Sequence, residues 1–309
     1  MRVAVTGSTG RLGGALIEAL EEAPFTGPQG PIAWTRADVD LDALTEDVVH
    51  ALIARDRPEV VVHAAAWTDV DGCARDPALA LRRNGDATGT VARACAARGV
   101  ELVTVSTNEV FDGRRTDGVG YRPDDERSPA NPYGASKAAG EVQAWAAYGD
   151  RAGSGRLAVV RTAWLHGPPG KDFPAKIARA ALGGRAAGQP LKVVGDEVGT
   201  PTYARDVADA IVELLGEDAL ATPPARRAIH HLVNGGRASR ADWAREVLRS
   251  TGIDVDVEEV PSSAWQRAST PPLWAVLEPT PLPGGEPMRH WRDAFADAVP
   301  ALRRSLPEG

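Results

Sequence analysis

The chain opens on a short apolar run, Val3-Ala4-Val5-Thr6, followed at once by Gly7-Ser8-Thr9-Gly10-Arg11-Leu12-Gly13. Few folds place a glycine-rich turn between a first strand and a first helix. Backbone N–H groups converge at such a helix start, where a phosphate can be held. At GxxGxxG spacing the glycines serve a tight turn, close backbone approach to a pyrophosphate, and close helix packing. The turn therefore reads as a dinucleotide-binding loop, the alternative being an ordinary glycine-rich connection.

Around and beyond this turn the chain repeats one pattern. Strand-like Arg2–Thr6, helix-like Gly13–Glu22, strand-like Ile32–Trp34, helix-like Thr45–Arg55 and strand-like Val60–His63 make a βαβαβ unit. A helical pattern then fills about Pro77–Arg98, Glu101–Ser106 reads as a buried strand, Pro132–Tyr148 as a helix and Leu157–Arg161 as a strand. Such alternation predicts an α/β fold with a doubly wound parallel sheet of the Rossmann type, whose ligands lie beyond the carboxyl ends of the strands. Past this point Pro168-Pro169-Gly170, Pro223-Pro224, Pro271-Pro272 and Pro281–Pro287 break the regularity. Ser239 caps a helix over Arg240–Thr251, Val255–Val260 alternates like an edge strand, and His290–Leu306 reads as a last amphipathic helix. The expected division is a dinucleotide-binding domain over 1–165, with contributions from about 190–232, and a smaller substrate lobe over 166–189 and 233–309.

Composition removes several classes of function. The 309 residues are 43% hydrophobic and 25% charged, as in an ordinary globular protein, and the net charge of −7 offers no general basic field for nucleic acid or anionic lipid. Met1-Arg2 leads straight into the first strand, with no leader-like segment or membrane-length apolar stretch, so a cytoplasmic protein is expected. A homodimer is an allowed assembly. The two cysteines, Cys73 and Cys95, lack a CxxC spacing or a nearby histidine cluster; no metal and no disulfide is expected.

An acidic residue at the end of the second strand would receive the ribose hydroxyls of NADH. Here Trp34 is followed by Thr35 and Arg36, which favours NADPH over NADH, with Arg36 and Arg11 available to a 2′-phosphate. The alternative for both is a solvated surface arginine.

Asn131-Pro132-Tyr133-Gly134-Ala135-Ser136-Lys137 starts a helix with a cap and a first-turn proline, so Tyr133 and Lys137 share one face. A tyrosine working near neutrality must titrate about 3 units below its usual value of about 10, and a neighbouring ammonium supplies part of that shift. Only four lysines occur, at 137, 171, 176 and 192, so one placed four after Tyr133 is informative. The strand ending at Ser106-Thr107 brings a hydroxyl to the sheet edge where a carbonyl could lie opposite Tyr133.

These motifs, with His63-Ala64-Ala65-Ala66-Trp67-Thr68-Asp69-Val70-Asp71, Ser106–Gly113 and Gly199-Thr200-Pro201-Thr202, occur in a familiar order. The chain resembles the extended short-chain dehydrogenase/reductases and, among them, the dTDP-4-dehydrorhamnose reductases. The resemblance is clear to about Leu215 and weaker beyond. It implies an NAD(P)H-dependent oxidoreductase that reduces the 4-keto group of a nucleotide-activated deoxysugar, with Thr107, Tyr133 and Lys137 as the catalytic set. Tyr133 would protonate the alkoxide, Lys137 would hold the nicotinamide ribose and keep the phenol's pKa low, and Thr107 would orient the carbonyl. The cofactor would touch Gly7, Gly10, Arg11 and Leu12 at its phosphates, Ala66, Trp67 and Thr68 further in, and Asp40 and Leu41 near the adenine. The substrate would meet Thr107, Asn108 and Trp164; the alternative for Trp164 is one more core aromatic.

Departures from the subgroup lie on the substrate side. Asn108-Glu109 stands where Asp-Tyr is usual, Asp172 precedes Phe173 where an Asn is usual, Glu197 replaces a Gln, and Pro271-Pro272 replaces an Arg-Pro. A metal-bridged dimer would need an acid where this chain has Ala15. Two other readings stay open: a sugar-nucleotide dehydratase or epimerase of the same superfamily, against which Asn108 counts because an amide is no proton donor, and a non-catalytic dinucleotide-binding regulatory homologue.

Overall fold

The structure, a computed structural model, describes residues 1–149, 153, 155–169, 171–186, 188–216 and 226–307. Of the proline-rich breaks, Gly170 and Pro223-Pro224 lie outside the described residues. β1 (Val3–Thr6), α1 (Arg11–Glu22), β2 (Ile32–Trp34), α2 (Glu46–Asp56) and β3 (Val60–His63) follow the predicted alternation. β4 (Glu101–Thr107), α6 (Pro132–Ala147) and β5 (Leu157–Thr162) continue it. With β10 (Arg227–His231) these strands form one parallel sheet in the order β10-β5-β4-β3-β1-β2. The order reverses between β1 and β3, so the loops after Thr6 and His63 diverge and open a crevice.

The helical pattern over Pro77–Arg98 is not one helix. After α3 (Val70–Arg75), α4 (Pro77–Ala80) runs into a π-helical turn over Leu81–Asp86 before α5 (Ala87–Ala97) begins. The wider turn coincides with buried Asn84, whose side chain accepts from Trp67 N at 2.7 Å and donates to Trp67 O at 3.0 Å and Ser136 Oγ at 3.1 Å. These bonds give a buried amide its partners and tie the loop after β3 to α6.

The second half is more regular than its prolines suggest. β6 (Leu165–His166), α7 (Phe173–Ala186), β7 (Leu191–Val194), β8 (Val198–Gly199), β9 (Thr202–Tyr203) and α8 (Ala204–Leu215) precede β10. α8 covers the face of α1, with Val207, Ala208 and Ile211 joining Leu12, Leu16 and Leu20 in one core. β7 does not enter the large sheet; it pairs in parallel with β12 (Val257–Val260). β11 (Ala238–Ser239) and β13 (Trp274–Ala275) flank β8 in a small sheet. α9 (Arg240–Thr251) starts at a reciprocal cap between Ser239 and Asp242, and packs with α7 and α10 (Trp291–Arg304) around Trp243, Trp291 and Phe295. Among the described residues no helix is long and apolar enough to cross a membrane.

One polar device sits between the large sheet and α6. The Arg161 guanidinium on β5 donates to both oxygens of Glu141 on α6, at 2.9 and 2.8 Å. Both side chains are almost wholly excluded from solvent, at 1% and 2% exposure. Ser106 Oγ donates to Glu141 Oε1 at 2.5 Å and Arg127 Nη1 to Oε2 at 3.2 Å. Burial alone would raise the Glu141 carboxyl, but these donors hold it below the usual range. Removing one partner strands the other charge in the core. Glu141→Leu is expected to cost about 3–5 kcal/mol of unfolding free energy, read by urea denaturation.

Candidate active site

α6 carries the predicted acid and base because of how it starts. Asn131 Oδ1 accepts from Gly134 N at 2.8 Å, and Pro132 occupies the first turn, where a missing N–H costs nothing. Gly134 permits the approach of this turn to the preceding loop, since a Cβ there would stand 1.9 Å from the Glu109 carbonyl oxygen. The close approach sets Tyr133 beside Thr107, the last residue of β4. Thr107 Oγ1 accepts from Glu109 N at 3.2 Å and lies 3.4 Å from Asn108 Oδ1. Lys137, one turn on, is buried as well. The structure thus brings Thr107, Tyr133 and Lys137 to the carboxyl end of the sheet.

The titration behaviour departs from one expectation. Burial, then the Glu109 carboxylate, pushes the Tyr133 phenol above its ordinary value, with the Thr107 hydroxyl opposing. Lys137 does not lower it here; burial brings Lys137's own pKa down to about 8, with Glu141 acting in the other direction. Burial and then Lys137 also lower His63 to about 3, and its Nδ1 lies 2.9 Å from Thr6 Oγ1. A neutral imidazole therefore joins β1 to β3 at the crevice.

The crevice contains a cavity of about 260 Å³ lined by Gly7, Gly10, Arg36, Asp40, Leu41, Ala66 and Trp67, all named by the sequence, together with Thr9, Asp42 and Arg83. The glycine turn fits a pyrophosphate. A Cβ on Gly13 would meet the Gly7 carbonyl oxygen at 2.0 Å, and Gly7 itself has φ +65° with Ala65 backbone 2.9 Å from where a Cβ would be. Leu12 buries its side chain in the core and offers only backbone. Thr68 is exposed and does not line the cavity. The Arg11 Nε donates to Gly167 O at 3.1 Å and lies 4.0 Å from Asp172. Arg83 lines the same cavity, lying over Trp67 and bonding Asp42 at 2.6 Å. Nothing in the local sequence marks Arg83, because the π-helical turn turns it toward the cavity.

On the substrate side Trp164 stacks with Trp243, ring centres 5.7 Å apart, and the Arg240 guanidinium lies 3.5 Å from its ring centre. Its φ of 41° is unusual for a side chain of that size. Glu197, 2% exposed, accepts from Arg240 at 3.4 Å and Arg267 at 2.7 Å. Arg240 is brought down to about 10 by burial, with Glu197 opposing. Arg240 and Arg267 line a cavity of about 340 Å³ with Phe173, Lys176, Lys192 and Trp265. Two guanidiniums sharing one carboxylate, beside two lysines, leave the cavity cationic. Glu109 accepts from Asn131 Nδ2 at 2.6 Å, and Asn108 is buried with Nδ2 unpaired among the described residues. No sequence motif marks Arg240 or Arg267, which come together only through packing of α9 and the 261–273 segment.

A parallel sheet with a switch-point glycine turn, and a Thr/Tyr/Lys set at the next strand ends, define a Rossmann-type, NAD(P)H-dependent reductase. The family model described as RmlD substrate binding domain matches residues 1–304, and the chain belongs to that family, the dTDP-4-dehydrorhamnose reductases. The dTDP-4-dehydrorhamnose reductase of Streptomyces griseus is 36% identical over 302 residues, 96% of this chain and 93% of the relative. The crystal structure of a dTDP-4-dehydrorhamnose reductase from Clostridium acetobutylicum superimposes with a TM-score of 0.84 at 28% identity, over 98% of this chain and 100% of that one. One from Bacillus anthracis, in complex with NADP, gives 0.82 at 27% identity, over 96% and 98%.

The lowered Lys137 value has a measurable sign. Folding moves it from 10.5 to about 8, so between these values the unfolded chain binds more protons and stability rises with pH. The cost of burying the ammonium, roughly 3 kcal/mol, is full below about pH 8 and fades above it. Lys137→Met is therefore expected to gain stability relative to wild type at neutral pH, with the gap closing as pH rises through that window in urea titrations.

Proposed function

We propose that this protein reduces the 4-keto group of dTDP-4-dehydrorhamnose, or of a closely related nucleotide-activated deoxysugar, with NADPH preferred to NADH. The observation that carries this reading is Thr107 beside Tyr133 at the carboxyl end of the sheet, with Lys137 a turn away on the same helix and the glycine-loop cavity at the switch point of that sheet. Gly7, Gly10 and the backbone of Arg11 and Leu12 would hold the pyrophosphate, Ala66 and Trp67 the path inward, and Asp40 and Leu41 the adenosine end. Arg36 and Arg83 would meet a 2′-phosphate. A nicotinamide dinucleotide held there would supply the hydride for the keto carbon.

The chain's own residues do the rest. Tyr133 gives its proton to the developing alkoxide, and Thr107 orients the carbonyl through a hydrogen bond to the same oxygen. Lys137, cationic through most of the neutral range, favours the phenolate that remains once the cofactor and substrate have displaced water. Arg240, Arg267, Lys176 and Lys192 would face the diphosphate and take over from the arginine that Pro271 replaces. Trp164 would wall the sugar. Elimination chemistry lacks support, because Asn108 offers an amide where a carboxylic acid would be needed.

The test follows loss of NADPH absorbance with dTDP-4-dehydrorhamnose. Tyr133→Phe is expected to lower kcat by at least about 100-fold, and Arg267→Ala to raise the substrate KM by about 10-fold or more with a smaller effect on kcat. Arg36→Ala with Arg83→Ala is expected to raise the KM for NADPH about 10-fold or more, leaving NADH little changed. Tight NADPH binding without turnover would instead favour a binding homologue.

A further inference from the structure

The proposed reduction uses the motif His63–Asp71 only as far as Trp67, and the last residue of the motif is left without a task. Asp71 stands in the first turn of α3. Its Oδ1 accepts from Ser269 N at 3.0 Å, a partner 198 positions further along the chain. Ser269 belongs to the segment 261–273, which runs from β12 to β13. Most of that segment is exposed, Ser269 and Pro272 being its buried residues.

A segment with so little buried surface keeps its place through polar ties. Ser262 N and Oγ donate to Asp196 at 2.8 and 3.0 Å, and Arg267 Nη1 donates to Glu197 Oε1 at 2.7 Å. Thr270 O accepts from Asn131 Nδ2, the cap of α6, at 3.1 Å. With the Asp71 bond these ties make a strap that leaves the cationic cavity, where it supplies Trp265 and Arg267, and reaches α6 and α3. α3 in turn rests on the cofactor side. Gly72, next to Asp71, lets the Trp67 ring lie against the helix, since a Cβ there would stand 2.7 Å from Trp67 Cζ2. Trp67 lines the glycine-loop cavity, and it packs with Cys73 and Tyr133 in one cluster. One short route therefore joins the two cavities: Trp67 on Gly72, Asp71 beside it, its hydrogen bond to Ser269, and two residues of strap to Arg267.

We propose that Asp71 is a positioning residue: through Ser269 it sets the strap that carries Arg267, and so makes filling of the glycine-loop cavity and of the cationic cavity mutually reinforcing. The inference rests on the reading of the two cavities given above. A dinucleotide lying against Trp67 restrains α3 and the carboxylate next to Gly72. The strap is then ordered before a diphosphate arrives, and the second ligand is spared that ordering cost. Linkage makes the gain reciprocal. Asp71 itself lines neither cavity, and no bond of the reduction passes through it.

Calorimetric titration of the whole protein with dTDP, alone and with saturating NADPH, reads the coupling without turnover. In the wild type NADPH is expected to tighten dTDP binding at least about 5-fold, and dTDP to tighten NADPH binding by the same factor. Asp71→Ala should bind NADPH alone as the wild type does, bind dTDP more weakly, and show a coupling of less than about 2-fold. Asp71→Asn, whose amide oxygen still accepts from Ser269 N, should keep the wild-type coupling. Ser269→Pro removes the donor from the strap side and should match Asp71→Ala, which keeps the test open if the alanine variant fails to fold. Wild type that binds both ligands without coupling would overturn the inference and leave the reduction standing, as would coupling that survives in Asp71→Ala or Ser269→Pro. Wild type that binds no dTDP or no NADPH would sink the reading of the cavities and take this inference with it.

Discussion

The site depends on a charge pair that is never seen by solvent. Arg161 and Glu141 lock β5 to α6, and Ser106 adds β4 to the same carboxylate. Helix packing on a sheet tolerates some sliding of one surface over the other. A bidentate guanidinium–carboxylate contact does not, because both bonds are lost together when either element shifts. Ser106 and Thr107 are consecutive, so the residue that binds Glu141 fixes the one that meets Tyr133. Lys137 lies one turn before Glu141 on the same helix and feels its charge. Register, catalytic geometry and the ammonium's electrostatics therefore follow from one buried carboxylate.

The first half of the chain was legible because its signals are local. β2 and β3 fall on the residues read from the apolar pattern, and Asn131, Ser239 and the glycine turn state their roles within a few residues. What escaped was set by contacts distant in sequence. The break in the Pro77–Arg98 helix follows from Asn84 reaching Trp67 and Ser136, and that break aims Arg83 at the glycine-loop cavity. Arg11 looked like a phosphate ligand from its place in the motif, yet its guanidinium is taken by Gly167 and Asp172, far along the chain. Arg240 and Arg267 carry no motif, since their cavity is made by segments that meet only in the folded protein.

The substrate side concentrates strain and unbalanced charge. Trp164 holds a backbone conformation that bulky residues rarely adopt, and its ring contacts both Trp243 and Arg240. Glu197 is shared by two guanidiniums. Such arrangements persist only where the surrounding packing over-determines them.

The outermost strand of the large sheet has a consequence for how the protein comes to be made. β10 pairs with β5 along its whole length, and α8, just before it, covers the apolar face of α1. Both leave the ribosome well after β5 itself, with β6, α7 and β7 in between. Until they emerge, β5 is a bare sheet edge and α1 an uncovered greasy surface, both invitations to wrong partners. The nascent chain must therefore produce segments that never join the large sheet before its first half can close, and the early and late parts of the chain mature as one cooperative unit.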